Sequence, residues 1–188
     1  MSLKIGVIAE EKNDIDVLYR LTCKIVPERS FSFSKFIGHG CGKIRSKSGV
    51  WANNLIQRGC SHLVVMHDLD RGDEVRLRSQ LSRAVQHLEF KLILIIIPIE
   101  ELEAWLLHDA FALKNVFNMK ETPKLPNQPE KIKSPKEYLR NLIRKHCGKY
   151  YVNTIHNAKI ATLIDITTLE TCYSFAPYYR FLKDIKVE

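Results

Sequence analysis

Two short stretches, Leu63 to Met66 and Leu92 to Ile97, carry no polar residue at any position. A strand with one face in water alternates apolar and polar side chains, so an unbroken apolar run rich in β-branched residues has to be covered on both faces. Lys4 to Ala9 (Lys-Ile-Gly-Val-Ile-Ala) has the same character and reads as the first core strand. Each run is followed by a segment with helical spacing. Strand and helix in repeated alternation predict an α/β fold, a mostly parallel sheet with helices on both faces. Residues 1–112 form the expected core, and 113–188 a C-terminal helical extension packed on it.

The connecting segments fill in this plan. Asn13 or Asp14 is placed to cap a first helix, whose apolar face is Ile15, Leu18, Tyr19, Leu21 and on to Ile25, with Pro27 as its stop. Ser30 to Ile37 alternates Phe31 and Phe33 with serines, as a strand covered on one face does. Gly38 to Gly49 mixes glycine with Lys43, Arg45 and Lys47 and reads as a mobile basic loop; His39 and Cys41 in it are too few ligands for zinc. Val50 to Arg58 is a helix closed by Gly59. Glu74 to Leu88 is another, with Val75, Leu77, Leu81, Val85 and Leu88 inward and Arg76, Arg78 and Arg83 outward. A further helix starts at Glu100, directly after Pro98. Glu121 to Pro135 carries four prolines and reads as a loop or lid. Pro135 to His146 is a basic helix with Tyr138, Leu139, Leu142 and Ile143 inward and Lys136, Arg140, Arg144 and Lys145 outward. Two short helices follow, around Asn157 to Ile164 and Ser174 to Asp184, and the helical spacing of their aromatics assigns them to packing.

The strand ends are acidic. Glu10 follows the first run, Asp68 and Asp70 follow the run at 63–66, and Glu101 or Glu103 follows the run at 92–97. Right-handed crossovers put all carboxyl ends of a parallel sheet on one edge, where ligands bind. Residues two apart in extended chain point the same way, so Asp68 and Asp70 are expected to converge. Carboxylates that converge repel one another unless a cation or a shared proton intervenes, and a hard divalent ion with oxygen ligands is the simplest remedy. A plain turn at Asp68 to Gly72 is the alternative. In the following helix Glu100 and Glu103 are expected to share a face, with Glu101 directed toward Trp105 and His108.

Composition narrows the partners. Lysine and arginine number 29 against 21 acids, a formal charge of +8, which favours a polyanion such as nucleic acid. The five cysteines, Cys23, Cys41, Cys60, Cys147 and Cys172, form no Cys-x-x-Cys pair, which indicates neither a disulfide frame nor a zinc knuckle. The N-terminus lacks a signal pattern and no apolar run has membrane-spanning length, so the expected place is the cytoplasm, away from membranes. There is no internal repeat and no Gly-x-x-x-x-Gly-Lys phosphate loop.

These motifs resemble the Toprim domain of topoisomerases, DnaG-type primases and overcoming-lysogenization-defect nucleases. That family places a glutamate after its first strand and an Asp-x-Asp after a later one. Here Ile8-Ala9-Glu10-Glu11-Lys12-Asn13-Asp14 stands against Val-Glu-Gly-x-Thr-Glu, and His67-Asp68-Leu69-Asp70-Arg71 supplies the second motif. Glu10 takes the place of the essential glutamate and Asp14 that of the second acid, while Glu11 stands where the family has glycine. The stretch Glu101-Leu102-Glu103-Ala104-Trp105-Leu106-Leu107-His108-Asp109 is similar to one carried by a small bacterial Toprim-like family of unknown function, found among mobile-element and phage-defence genes. The resemblance implies a Toprim-like (Rossmann-like) sheet and a magnesium (or manganese) ion on Glu10, Asp68 and Asp70, with Glu103 completing the shell or acting as general base. Asp14, Glu101 and Asp109 support that site.

Three functions compete. The first is a magnesium-dependent nuclease or related phosphoryl-transfer enzyme, with Lys43, Arg45, Lys47, Arg71, Lys136, Arg140, Arg144 and Lys145 gripping the nucleic-acid backbone. The second is a non-catalytic Toprim-shaped subunit that binds nucleic acid or protein, such as a partner ATPase, alone or as an oligomer. The third is a phosphatase of the haloacid-dehalogenase type. That family has its Asp-x-Asp on the first strand, and this chain lacks a convincing set of its remaining residues.

Overall fold

The computed structural model describes residues 3–26 and 31–187. Four strands, β1 (Leu3–Ala9), β2 (Phe31–Ile37), β3 (His62–Met66) and β4 (Leu92–Ile96), form one all-parallel sheet in the order β2-β1-β3-β4. The two middle strands, β1 and β3, are the most deeply buried, whereas the unbroken apolar run of β4 lies at an edge of the sheet and is only half-buried from Leu92 to Leu94, because no strand pairs its outer side.

Helices cover both faces. On one lie α2 (Cys41–Gln57) and α3 (Glu74–Val85), which enclose Ile8, Leu63, Val65 and Ile95 of the sheet with Ile44, Leu55, Leu77 and Leu81. On the other lies α1 (Lys12–Ile25), joined by α4 (Glu103–Leu106), α5 (Ala110–Phe117), a 3-10 turn at Pro129–Lys131, α6 (Pro135–Cys147), α7 (Asn153–Leu163), α8 (Ile166–Leu169) and α9 (Ala176–Val187). A single apolar cluster joins Val7, Val64 and Met66 of the sheet to Leu18, Trp105, Phe117, Leu139 and Phe175. The residues after 112 thus share a core with the strands. The aromatics of the last helices serve that packing: Phe175 and Tyr178 are fully buried, and the Tyr178 hydroxyl meets Thr22 Oγ1 at 2.6 Å.

Several local expectations are corrected. Gly38 to Gly49 is not a mobile loop, because α2 begins at Cys41 and carries Lys43, Arg45 and Lys47 on its exposed side. Its buried stripe is Ile44, Ser48, Ala52 and Leu55. Glycines at 42 and 49 disguise this periodicity; a Cβ on Gly49 would sit 2.8 Å from the Ala84 carbonyl oxygen, so glycine there lets α2 approach α3. Neither Asn13 nor Asp14 caps α1. Glu11 is the N-cap, and it exchanges bonds with Asp14 three residues on, a reciprocal capping box. Pro27 lies outside the described residues. Val75 is 79% exposed rather than inward, since the face of α3 that meets the sheet runs through Leu77, Leu81 and Val85. No helix starts at Glu100: that residue has φ 63°, and α4 begins only at Glu103, so Glu100 and Glu103 share no helical face. No helix among the described residues is long and apolar enough to cross a membrane.

Candidate functional site

Strands β1 and β3 are neighbours in parallel register, Ile8 beside Val65, so Glu10 and Asp68 leave the sheet side by side at its carboxyl edge. The chain beyond β3 stays tied to the chain beyond β4. The amides of His67, Leu69 and Asp70 donate to the carbonyls of Ile96, Pro98 and Glu100 at 3.1, 3.0 and 3.2 Å. Asp70, Arg71 and Glu100 adopt left-handed backbone, φ 47°, 61° and 63°, and the Gly72 amide closes a turn onto the Leu69 carbonyl at 2.7 Å. Non-glycine residues in this region are unusual and concentrate where surrounding structure dictates the conformation. Asp68 and Asp70 therefore do not lie as alternate residues of a strand: the turn leaves Asp70 exposed, lining a cleft with Arg45, while its charge is still felt at half-buried Asp68. The turn and the acid cluster are one feature.

Two further elements bring acids to the same place. The first turn of α1 carries Asp14, 7% exposed, which accepts from the Glu11 amide at 2.8 Å and from Asn13 Nδ2 at 3.3 Å. The start of α4 carries Glu103, 3% exposed, whose Oε1 accepts from the Tyr151 hydroxyl at 3.0 Å and from Asn157 Nδ2 at 3.1 Å. Glu101 Oε2 accepts the Lys136 amide at 2.8 Å, which docks α6 against the site.

The charges are strongly frustrated. Burial, followed by the charges of Asp14, Glu103, Glu10 and Asp70, pushes Asp68 well above the ordinary aspartate range. Asp14 is pushed up to about 7, by burial first and then by Glu103, Glu11 and Glu10, against the pull of the Glu11 amide. Burial also raises Glu10, with Asp70 adding to the effect and His67 and the Asp68 amide opposing it. His67 Nδ1 lies 3.2 Å from Glu10 Oε1 and 2.6 Å from the Asp68 carbonyl oxygen. Burial raises Glu101 as well, opposed by its bond from Lys136. Burial alone would lower the Lys136 ammonium, yet Glu103, Glu11, Glu101 and Asp68 outweigh it and leave it raised. Lys136 accordingly serves the acid cluster and does not share the outward face of Arg140, Arg144 and Lys145, which are exposed on α6.

The donors suit a hard divalent cation. They are almost all carboxylate oxygens; Asn13 Oδ1 is buried with no hydrogen bond, and buried Glu10 Oε1 has the His67 ring at 3.2 Å but no hydrogen bond. Among the described residues no three of these carboxylates bring oxygen atoms within 4.8 Å of one another, so a bound ion would draw the side chains inward. Beside the cluster, a cleft of about 520 Å³ opens between α2 and α3, lined by His67, Asp70 and Asp73 together with Arg45 and Arg76.

Of the residues singled out from sequence, Glu10, Asp14, Asp68, Asp70, Glu101 and Glu103 are brought together with Lys136. Asp109 is not among them: it caps α5, accepting from Phe111 and Ala112 amides at 2.8 and 2.9 Å, and also takes the Asp165 amide at 2.8 Å. Lys43, Arg45 and Lys47 are exposed on α2, and Arg71 is exposed in the turn after Asp70. Sequence reasoning did not select Asn13, His67, Tyr151, Asn157 or Arg76. For His67 the signal was its place inside the acidic motif. Tyr151 and Asn157 lie 48 and 54 positions beyond Glu103, and no spacing rule reaches that far.

No curated protein and no solved structure matches the chain. A family model does, over residues 49–183, a span that takes in the Asp68-Leu69-Asp70 and Glu101-to-Asp109 motifs and leaves out β1 with Glu10. By that match the chain belongs to the family described as a domain of unknown function (DUF4276).

Proposed function

We propose that the protein is a Toprim-like, divalent-metal-dependent phosphoryl-transfer enzyme acting on nucleic acid, most simply a nuclease. The observation that carries this reading is the convergence on Asp68 of acids from the ends of β1 and β3, the first turn of α1 and the start of α4, with the Lys136 ammonium raised by Glu103, Glu11, Glu101 and Asp68. The strand order supports it, because β1 and β3 must be adjacent for the two acidic motifs of the Toprim resemblance to meet. Glu10, Asp68 and Asp70 would hold magnesium or manganese, which supplies charge neutralisation at the scissile phosphate and activation of water. Asp14 and Glu101 set the field around the ligands, and Glu103, held by Tyr151 and Asn157, is fixed in orientation before substrate arrives. Arg45 and Arg76 in the adjoining cleft, with Lys43, Lys47 and Arg71 nearby, offer phosphate contacts beside that centre; Arg140, Arg144 and Lys145 form a second basic surface. A role in phage defence or mobile-element biology, with nucleic acid and a partner ATPase or other protein, belongs to the same proposal.

A non-catalytic binding module is the second reading, favoured by Glu11 in place of the turn glycine and by the wide spacing of the carboxylates. Cleavage assays on single- and double-stranded DNA and RNA with magnesium or manganese separate the two. The expected result is metal-dependent cleavage, abolished by Asp68→Asn with Asp70→Asn while circular dichroism and Tm are retained. Cleavage that survives the double variant sinks the proposed centre. Salt-dependent binding without cleavage, indifferent to chelator, establishes the second reading.

A further inference from the structure

A different donor set lies among the C-terminal helices. His108 follows α4, Glu130 sits in the 3-10 turn at Pro129–Lys131, and Cys172 is in the turn between α8 and α9. Among the described residues this is the one group of three potential ligands whose ligand atoms all lie within 4.8 Å of one another. Cys172 is fully buried and the other two are half-buried.

Glu130 and His108 are each held in place by neighbouring groups. Glu130 Oε1 accepts from the Ser174 amide at 3.0 Å and its hydroxyl at 2.6 Å, and Oε2 accepts from the Tyr173 amide at 2.9 Å. A carboxylate has about four acceptor positions, and the Cys172 thiol, which burial and the Glu130 charge push up to about 12, occupies the remaining one, so an ion would take the place of that shared proton. The supporting Ser174 hydroxyl itself accepts from Trp105 Nε1 at 2.7 Å, which anchors the arrangement to the largest buried side chain. The His108 ring bonds to the main chain of Thr168, while its Nε2 is buried with no partner. The Thr168 bond therefore belongs to Nδ1, which leaves the lone pair on Nε2. Metal-binding histidines are oriented in this way, one ring nitrogen donating to a carbonyl so that the other can ligate.

We propose that His108, Glu130 and Cys172 form a zinc-type site that ties the proline-rich segment to the C-terminal helices. Imidazole nitrogen, thiolate sulfur and one carboxylate oxygen select zinc or cobalt over magnesium, unlike the oxygen-rich sheet edge. Binding forms a metal–sulfur bond as the Cys172 thiol gives its proton to solvent. One thiolate and one carboxylate then neutralise the dication, so the buried site carries no net charge. Water completes the tetrahedron.

The full-length chain, stripped with chelator, is titrated with cobalt(II) or zinc(II). The expected result is one equivalent that carries a thiolate-to-cobalt charge-transfer band, counted apart from any ion taken up at the sheet edge without one. Zinc at a hundredfold excess over its Kd should raise Tm by about 5–10 °C. Cys172→Ser and His108→Gln each remove the band, whereas Asp68→Asn with Asp70→Asn retains it, which separates this site from the sheet edge. Zinc X-ray absorption on the unaltered protein, expected to show sulfur and imidazole in the first shell, covers the case in which a variant misfolds. A wild-type band of full strength in either variant, or a zinc shell without sulfur, overturns the proposal.

Discussion

Replacing Asp14 by asparagine tests whether the buried acids repel one another in metal-free protein. Asp14 is raised from the ordinary 3.8 to about 7, by burial first and then by the neighbouring acids, and it is almost inaccessible. The unfolded chain releases this proton near 3.8, while the folded chain keeps it until about 7. Stability from this group is thus complete below the lower value and is lost as pH rises through the higher one. At about 1.4 kcal/mol per pH unit, the whole span from 3.8 to about 7 corresponds to about 4 kcal/mol. From pH 5 upward roughly 3 kcal/mol of that loss remains to be seen. Asparagine does not titrate, and its side-chain oxygen can still accept the Glu11 amide that Asp14 takes at 2.8 Å. Urea unfolding with chelator present, followed by circular dichroism at pH 5 and pH 8, should therefore show the Asp14→Asn difference shifting by about 3 kcal/mol in favour of the variant. A difference that is the same at both pH values, or a variant less stable at pH 8 than at pH 5 relative to wild type, refutes the electrostatic account. Magnesium should narrow the gap at pH 8, because a bound cation removes the repulsion that the mutation relieves.

Other outcomes follow from the same structure. Lys136→Met leaves the acids it faces uncompensated and should cost about 1–3 kcal/mol at pH 8, less as pH falls and the raised Glu101 and Asp68 take up protons, as read by urea unfolding. Trp105→Phe leaves a gap in the core and strips Ser174 of its donor, so thermal or urea melts should show a loss of about 2–3 kcal/mol. Val75→Glu should change stability by no more than about 0.5 kcal/mol, since Val75 faces water; a loss above about 2 kcal/mol would mean that α3 packs through the residues its spacing suggested.

Where sequence reasoning failed, competing local signals were responsible. Glycines 42 and 49 in α2 looked like loop formers, but Gly42 is simply open to solvent and at Gly49 the contact with α3 makes use of the space that a missing Cβ leaves. The acids at 100–103 looked like a first helical turn, but the ladder from Asp70 to the Glu100 carbonyl holds the chain in left-handed backbone and delays the helix to Glu103. Lys136 looked outward by helical spacing, and the depth at which α6 docks through Glu101 turned it toward the acids.

Hydrophobic pattern was enough to determine the parallel sheet, its coverage on both faces and the edge on which the strand-end acids emerge, because these depend on period and chirality, which are local properties of the chain. Tertiary structure alone decided which acids meet. Asp14 and Glu103 reach Asp68 only because α1 and α4 pack where they do, and Tyr151 and Asn157 hold Glu103 across a long stretch of intervening sequence. Proximity in space, and the loss of water that raises these carboxyl groups, are properties of the packed interior that no single segment carries.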